Sequence, residues 1–186
     1  DGSGNTYVAD TNNDRVVKVP AGGGAQTTLG FTGLNAPLGV AVDGSGDVYV
    51  TDSGNNRVLR LPAGGGAQTI LGFTGLTSPS GVAVDGSGNV YVTDSGNDRV
   101  LLLAAGSGTQ ATGPFTGLNG PFGVAIDEAG NVYVVDGLNQ RVVMMPVGSV
   151  TQTEVPFVGL NNPFGVAVDT AGNGYVSDVS DDRVGV

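Results

Sequence analysis

Valine, leucine and tyrosine come in short bursts along this chain, separated by polar or glycine-rich stretches. From Gly39 the bursts read GVAVD (39–43), DVYVTD (47–52), RVLRLP (57–62) and QTILGF (68–73). Each is short and rich in valine, tyrosine, leucine or threonine, the length and chemistry of a strand. The stretches between them, such as SGNN and PAGGGA, are made of residues that turns require. Frequent glycine and proline leave no room for a long helix. The pattern predicts four strands, A to D in chain order, joined by tight turns.

The unit repeats. The segment that starts at Gly39 returns at Gly81, Gly123 and Gly165, each time 42 residues on and without an insertion. Four short strands every ~40–45 residues is the pattern of a β-propeller blade. The valines of each unit are expected to fill the space between blades. The blade parts fall at 1–33, 39–75, 81–117, 123–159 and 165–186, in a single all-β propeller domain or a fragment of one. Three blades read as complete, with partial blades at both ends, because the chain starts at a strand B and stops in a strand C.

Composition narrows the chemistry. The chain has 186 residues, 39% of them hydrophobic, which is enough for a real core. Its net charge is −10, with one lysine, Lys18, among seven cationic side chains. Such a balance disfavours nucleic acid and anionic membrane surfaces, which need basic contacts. Cysteine and histidine are absent. That removes disulfides, thiolate chemistry, the commonest general base and the commonest transition-metal ligand. No cofactor and no metal is expected. The opening Asp1-Gly2-Ser3-Gly4 reads as a turn, as if cut from something longer.

Three columns of the repeat carry polar chemistry. Tyr7, Tyr49, Tyr91, Tyr133 and Tyr175 form one; Asp10, Asp52, Asp94, Asp136 and Asp178 a second; Arg15, Arg57, Arg99, Arg141 and Arg183 a third. A catalytic site is normally built once, whereas a packing device recurs in every unit. The aspartates and arginines therefore read as structural. Each Asp is expected to end strand B and to hold the B–C turn shut through charge-assisted hydrogen bonds. PAGGGAQT lacks the lysine of a phosphate loop. DGSGD (43–47) lacks the ligand spacing of a calcium loop and reads as an Asx turn.

The run from Pro79 to Val100, P-x-G-V-A-V-D-x-x-G-N-V-Y-V-T-D-x-x-N-x-R-V, resembles NHL-repeat propellers, with Asn97 to Val100 in the signature region. The stretch Pro114 to Asp136 is similar to the extracellular sensor domains of PknD-type receptor Ser/Thr kinases. This resemblance implies a six-bladed ring, of which the chain would be an open arc with an exposed blade face and an unpaired strand edge.

Function is expected where the copies differ, since the scaffold is where they agree. The position after each D–A proline holds Leu38, Ser80, Phe122 and Phe164, and the later B–C turns hold Leu138 and Val179. With Asn119, Asn161 and Asn162 these residues place an apolar cluster with amides on one face, a candidate ligand-binding patch. The plainer alternative is that the two phenylalanines cap the inter-blade core. The leading expectation is a non-enzymatic sensor that binds a protein, peptide or glycan, sits outside the cell or on its surface, and touches neither nucleic acid nor membrane. Two alternatives stand beside it. One is a propeller enzyme, lyase or calcium-dependent lactonase in type, with its site in blades beyond this chain. The other is a repeat protein that self-associates through open blade edges.

Overall fold

The computed structural model describes residues 1–186, and the predicted strands form in every repeat. Blade 1 holds β1 (Thr6–Asp10), β2 (Arg15–Val19) and β3 (Thr27–Thr28). Blade 2 holds β4 (Pro37–Val42), β5 (Val48–Asp52), β6 (Arg57–Leu61) and β7 (Thr69–Ile70). Blade 3 holds β8 (Pro79–Val84), β9 (Val90–Asp94), β10 (Arg99–Leu103) and β11 (Gln110–Thr112). Blade 4 holds β12 (Pro121–Ile126), β13 (Val132–Asp136), β14 (Arg141–Met145) and β15 (Thr153–Val155). Blade 5 holds β16 (Pro163–Val168), β17 (Gly174–Asp178) and β18 (Arg183–Gly185). Each sheet is an antiparallel meander in chain order.

Two expectations are corrected. The chain forms five blades of three or four strands, not a six-bladed ring with three complete blades. The reason is that pairing within a blade is local. The B–C hairpins align Asp10 with Arg15 and Asp178 with Arg183 in the same register as the inner copies, so a three-stranded unit closes without its A or D strand. Strand D is also shorter than the apolar run suggests. β7 covers two residues of the 68–73 stretch, and only the bond from Leu71 N to Val58 O, 2.9 Å, prolongs the pairing.

The core lies between blades. Four apolar clusters fill the four junctions. At the first, Val16 of β2 meets Leu34, Val50 and Leu59 of the next unit. Val50, Val92, Val134 and Val176 are fully buried in their respective junctions. Each contributes roughly 1.5–3 kcal/mol by leaving water. Every buried side-chain nitrogen and oxygen has a hydrogen-bond partner.

Strands β4, β8, β12 and β16 are the inner strands and pack in succession about the axis. They approach so closely that glycine is required. A Cβ on Gly39 would lie 2.5 Å from the Ser80 carbonyl oxygen, and one on Gly81 2.5 Å from that of Phe122. Each inner strand bulges just after its proline. In blades 2 and 3 a buried threonine satisfies the bulge. Thr51 Oγ1 accepts from Gly39 N at 2.7 Å and donates to Ser80 O at 2.6 Å, across the junction. Thr93 does the same between Gly81 and Phe122.

Candidate functional site: the face built by the B–C turns and D–A loops

Every strand B ends on an aspartate, passes through a three-residue 3-10 turn, and enters strand C through a left-handed residue. Those residues are Asp14, Asn56, Asp98, Gln140 and Asp182, with φ between 50° and 55°. Aspartate and asparagine tolerate this region better than most residues.

The strand-end aspartate does more than close this turn. Asp52 accepts from Arg57 Nε at 2.6 Å and from Asn55 Nδ2 at 2.8 Å on one oxygen. Its other oxygen accepts the backbone N–H of Asn35 at 2.6 Å, in the loop that enters the blade. Arg57 Nη2 reaches the carbonyl of Gly33 in that loop at 2.7 Å. The carboxylate therefore ties turn and incoming loop together. Asp94–Arg99 and Asp136–Arg141 repeat the arrangement, each pair at 2.7 Å, and Asp178–Arg183 at 3.0 Å. Their second oxygens hold the backbone of Thr77, Asn119 and Asn161. These four aspartates are buried. Asp10, with Arg15 at 2.7 Å, meets no incoming loop and stays partly exposed.

The left-handed residues add a tie to the next blade. Asp14 accepts from Ala36 N at 2.7 Å, Asn56 from Ser78 N at 2.8 Å, and Asp98 from Gly120 N at 2.7 Å. This link was not foreseen from the sequence. Its signal was the polar residue that precedes the column arginine in every copy.

On this frame the variable residues divide into two groups. Leu38, Phe122 and Phe164 meet around the axis with Ser80. They border a cavity of about 220 Å³ whose floor is inner-strand glycine and valine. Phe122 and Phe164 stack, with ring centroids 4.9 Å apart and planes 25° from parallel. Phe164 remains 40% exposed. Leu138 and Val179, 62% and 51% exposed, stand further out on the B–C turns and do not line that cavity. Asn119, Asn161 and Asn162 do not line it either. Asn161 Nδ2 donates to Asp181 at 3.1 Å, while Asn162 holds a positive φ of 61°.

Gly137 explains how the stack is accommodated. A Cβ at this position would lie 2.4 Å from the Phe122 ring. Blade 3 carries the opposite choice, with serines at both positions. There the Ser95 hydroxyl donates to the Pro121 carbonyl and shares a hydrogen bond of 2.8 Å with the Ser80 hydroxyl. The polar pair of blade 3 becomes an aromatic-and-glycine pair in blade 4. The two differences are visible in the sequence as separate columns, and only the fold puts them in contact.

The opposite face is spent on its own turns. Asp43 accepts the N–H groups of Ser45 and Asp47 at 2.9 and 3.0 Å, and Tyr49 donates its hydroxyl to it at 3.0 Å. Burial, then the Asp43 hydrogen bond, push the Tyr49 phenol up to about 12. Tyr133 is raised by the same two causes through Asp127. The Asp169 carboxyl is held below its usual range, first by the Asn173 side chain and then by its backbone N–H.

The NHL repeat model matches residues 34–61 and 76–101. No curated protein matches the chain in sequence. Among solved structures, a chain of the nidogen/laminin complex superposes with a TM-score of 0.88 at 24% identity, covering 98% of this chain and 70% of that one. A streptogramin B lyase superposes with a TM-score of 0.78 at 14% identity, covering all of this chain and 65% of the lyase. A catalytically inactive virginiamycin B lyase from Staphylococcus aureus, solved with quinupristin, gives 0.76 at 14% identity, covering 98% of this chain and 62% of that one. The chain thus spans about two thirds of the length of the structures it resembles. At these identities the likeness is one of fold: the chain is a β-propeller, and the NHL repeat model matches two stretches of it, 34–61 and 76–101.

Proposed function

We propose that this propeller is a non-enzymatic recognition module that takes a protein, peptide or glycan on the face built by its B–C turns and D–A loops. The observation that carries the reading is the Phe122–Phe164 stack at the axial mouth, with Phe164 40% exposed and Gly137 making room for Phe122. Exposed aromatic clusters mark interaction surfaces in soluble proteins. A propeller neighbour found in a complex of two proteins supports a protein partner. The proposed contacts are Leu38, Phe122 and Phe164 at the centre, with Leu138, Val179, Asn119, Asn161 and Asn162 around them. The proposed setting, on the resemblance of Pro114 to Asp136, is the extracellular sensor of a receptor Ser/Thr kinase.

The test is selection from a displayed random-peptide library on the immobilised chain, repeated on a variant carrying Phe122→Ser and Gly137→Ser. That pair is the one blade 3 already accommodates at Ser80 and Ser95. Peptides that bind the chain and fail on the variant are expected. A library with no enrichment, or with binders indifferent to the variant, overturns the proposal.

A catalytic reading draws on the lyase neighbours, one of which is described by an inactivating histidine-to-alanine change. The present 186 residues contain no histidine. A self-association reading draws on the outer sides of the terminal blades. Val8 is 45% and Val184 64% exposed, while their counterparts Val50 and Val58 are fully buried. A mass by light scattering that stays monomeric as concentration rises removes that reading.

A further inference from the structure

We infer that the partner of the Phe122–Phe164 mouth is a basic polypeptide segment that presents an aromatic side chain. This rests on the recognition reading above and gives the partner its chemistry. The first ground is charge. Strand-B ends and B–C turns carry nine aspartates, Asp10 and Asp14 through Asp181 and Asp182, against five arginines, so nine minus five leaves an excess of four negative charges. The arginines do not offer themselves to a ligand, because each is already bonded to the strand-end aspartate before it.

The second ground is where the excess lies. Asp98 is fixed by Gly120 N at 2.7 Å, two residues before Phe122. Asp181 is fixed by Asn161 Nδ2 at 3.1 Å, three residues before Phe164, and Asp182 follows it. The exposed carboxylates of Asp98 and Asp182 therefore stand on the same face as the stack, in the B–C turns outside it, while Asp181 is shared with Arg183 at 3.5 Å. A cationic segment laid across the face meets them in turn, whereas an anionic one meets like charge.

The third ground is size. A cavity of about 220 Å³ is smaller than the ~300–1,000 Å³ of small-molecule pockets. It suits one inserted side chain. A planar side chain extends the existing ring stack, and such contacts favour offset geometry.

The chain has no tryptophan, so the fluorescence of a tryptophan-bearing peptide reports binding directly. The probes are a short lysine–serine peptide around one tryptophan, its glutamate counterpart, and the lysine peptide with alanine for tryptophan as a competitor. The lysine–tryptophan peptide is expected to bind at least about ten-fold more tightly than either other form, and to weaken as salt is raised. Asp98→Asn with Asp182→Asn is expected to erase most of that preference. Asparagine keeps the acceptor that holds Gly120, as Asn56 does for Ser78, so the fold has no cause to change. Equal binding of the lysine and glutamate peptides, no binding by the lysine peptide, or no effect of the two asparagines overturns the inference. If the lysine peptide binds but Phe122→Ser with Gly137→Ser leaves it unaffected, the recognition patch itself falls.

Discussion

A single column of the repeat shows how position changes what a residue is worth. Asp94 is fully buried and bonded to Arg99, Asn97 and the Thr77 backbone. Asp94→Ala leaves Arg99 with the Gly75 carbonyl but no carboxylate, and the Thr77 N–H without an acceptor. The expected loss is about 3 kcal/mol in chemical denaturation. Asp10 pairs with Arg15 in the same way but holds no incoming loop, and Asp10→Ala is expected to shift the midpoint little. Equal losses at the two positions would show that the loop tie adds nothing. The tyrosines set the alkaline limit. Tyr49 ionises at about 12 in the folded chain against 10.0 for a free phenol. Its contribution is fully present below pH 10 and is lost as pH rises toward 12, since the unfolded chain gives up the proton first. Tyr91, Tyr133 and Tyr175 shift in the same direction. Tyr49→Phe is expected to flatten the fall of stability between those pH values.

For the strands, the demanding contact is between inner strands at the axis. Gly81→Ala places a methyl 2.5 Å from the Phe122 carbonyl oxygen and 3.0 Å from Val124 N. Backbone must move to admit it, at a cost of roughly 2–3 kcal/mol in denaturation. Gly86, in a turn with nothing within 4 Å of an added Cβ, is the control and is expected to accept alanine with little change. Strand identity was legible because valine-rich runs and turn residues alternate without interruption. Strand ends were less so. The Pro37 bridge to Asp52 precedes a bulge, and no apolar pattern announces a bulge. The outer strand shrinks to two or three residues even though a glutamine at its start bonds the backbone of the preceding repeat, as Gln110 does with the N–H and carbonyl of Thr74.

For the whole molecule, stability is a chain of neighbour contacts in which each blade covers the next. Blade 3 is covered on both sides, whereas Val8 and Val184 mark surfaces that no further blade of this chain covers. Amide hydrogen exchange is therefore expected to be slowest in β9, β10 and β13 and fastest in β1 and β18. Uniform protection across the five blades would contradict this gradient. The net charge of −10 gives the assembly a repulsive field, and moderate salt is expected to raise the melting temperature by screening it.

The 42-residue period alone determined the architecture, because a short strand and its turn are encoded in adjacent residues and the repeat copies them. It also marked Phe122, Phe164, Leu138 and Val179 as departures from the consensus. Tertiary structure decided which departures meet. Residues 122 and 137 touch because strand A and the B–C turn lie on one side of a folded blade. Phe122 and Phe164 stack because neighbouring inner strands converge on the axis. The number of blades was likewise a tertiary matter, since a hairpin at either end forms a sheet of three strands as readily as four. Contacts between distant residues depend on how sheets turn about a common axis, and spacing along the chain carries no record of that angle.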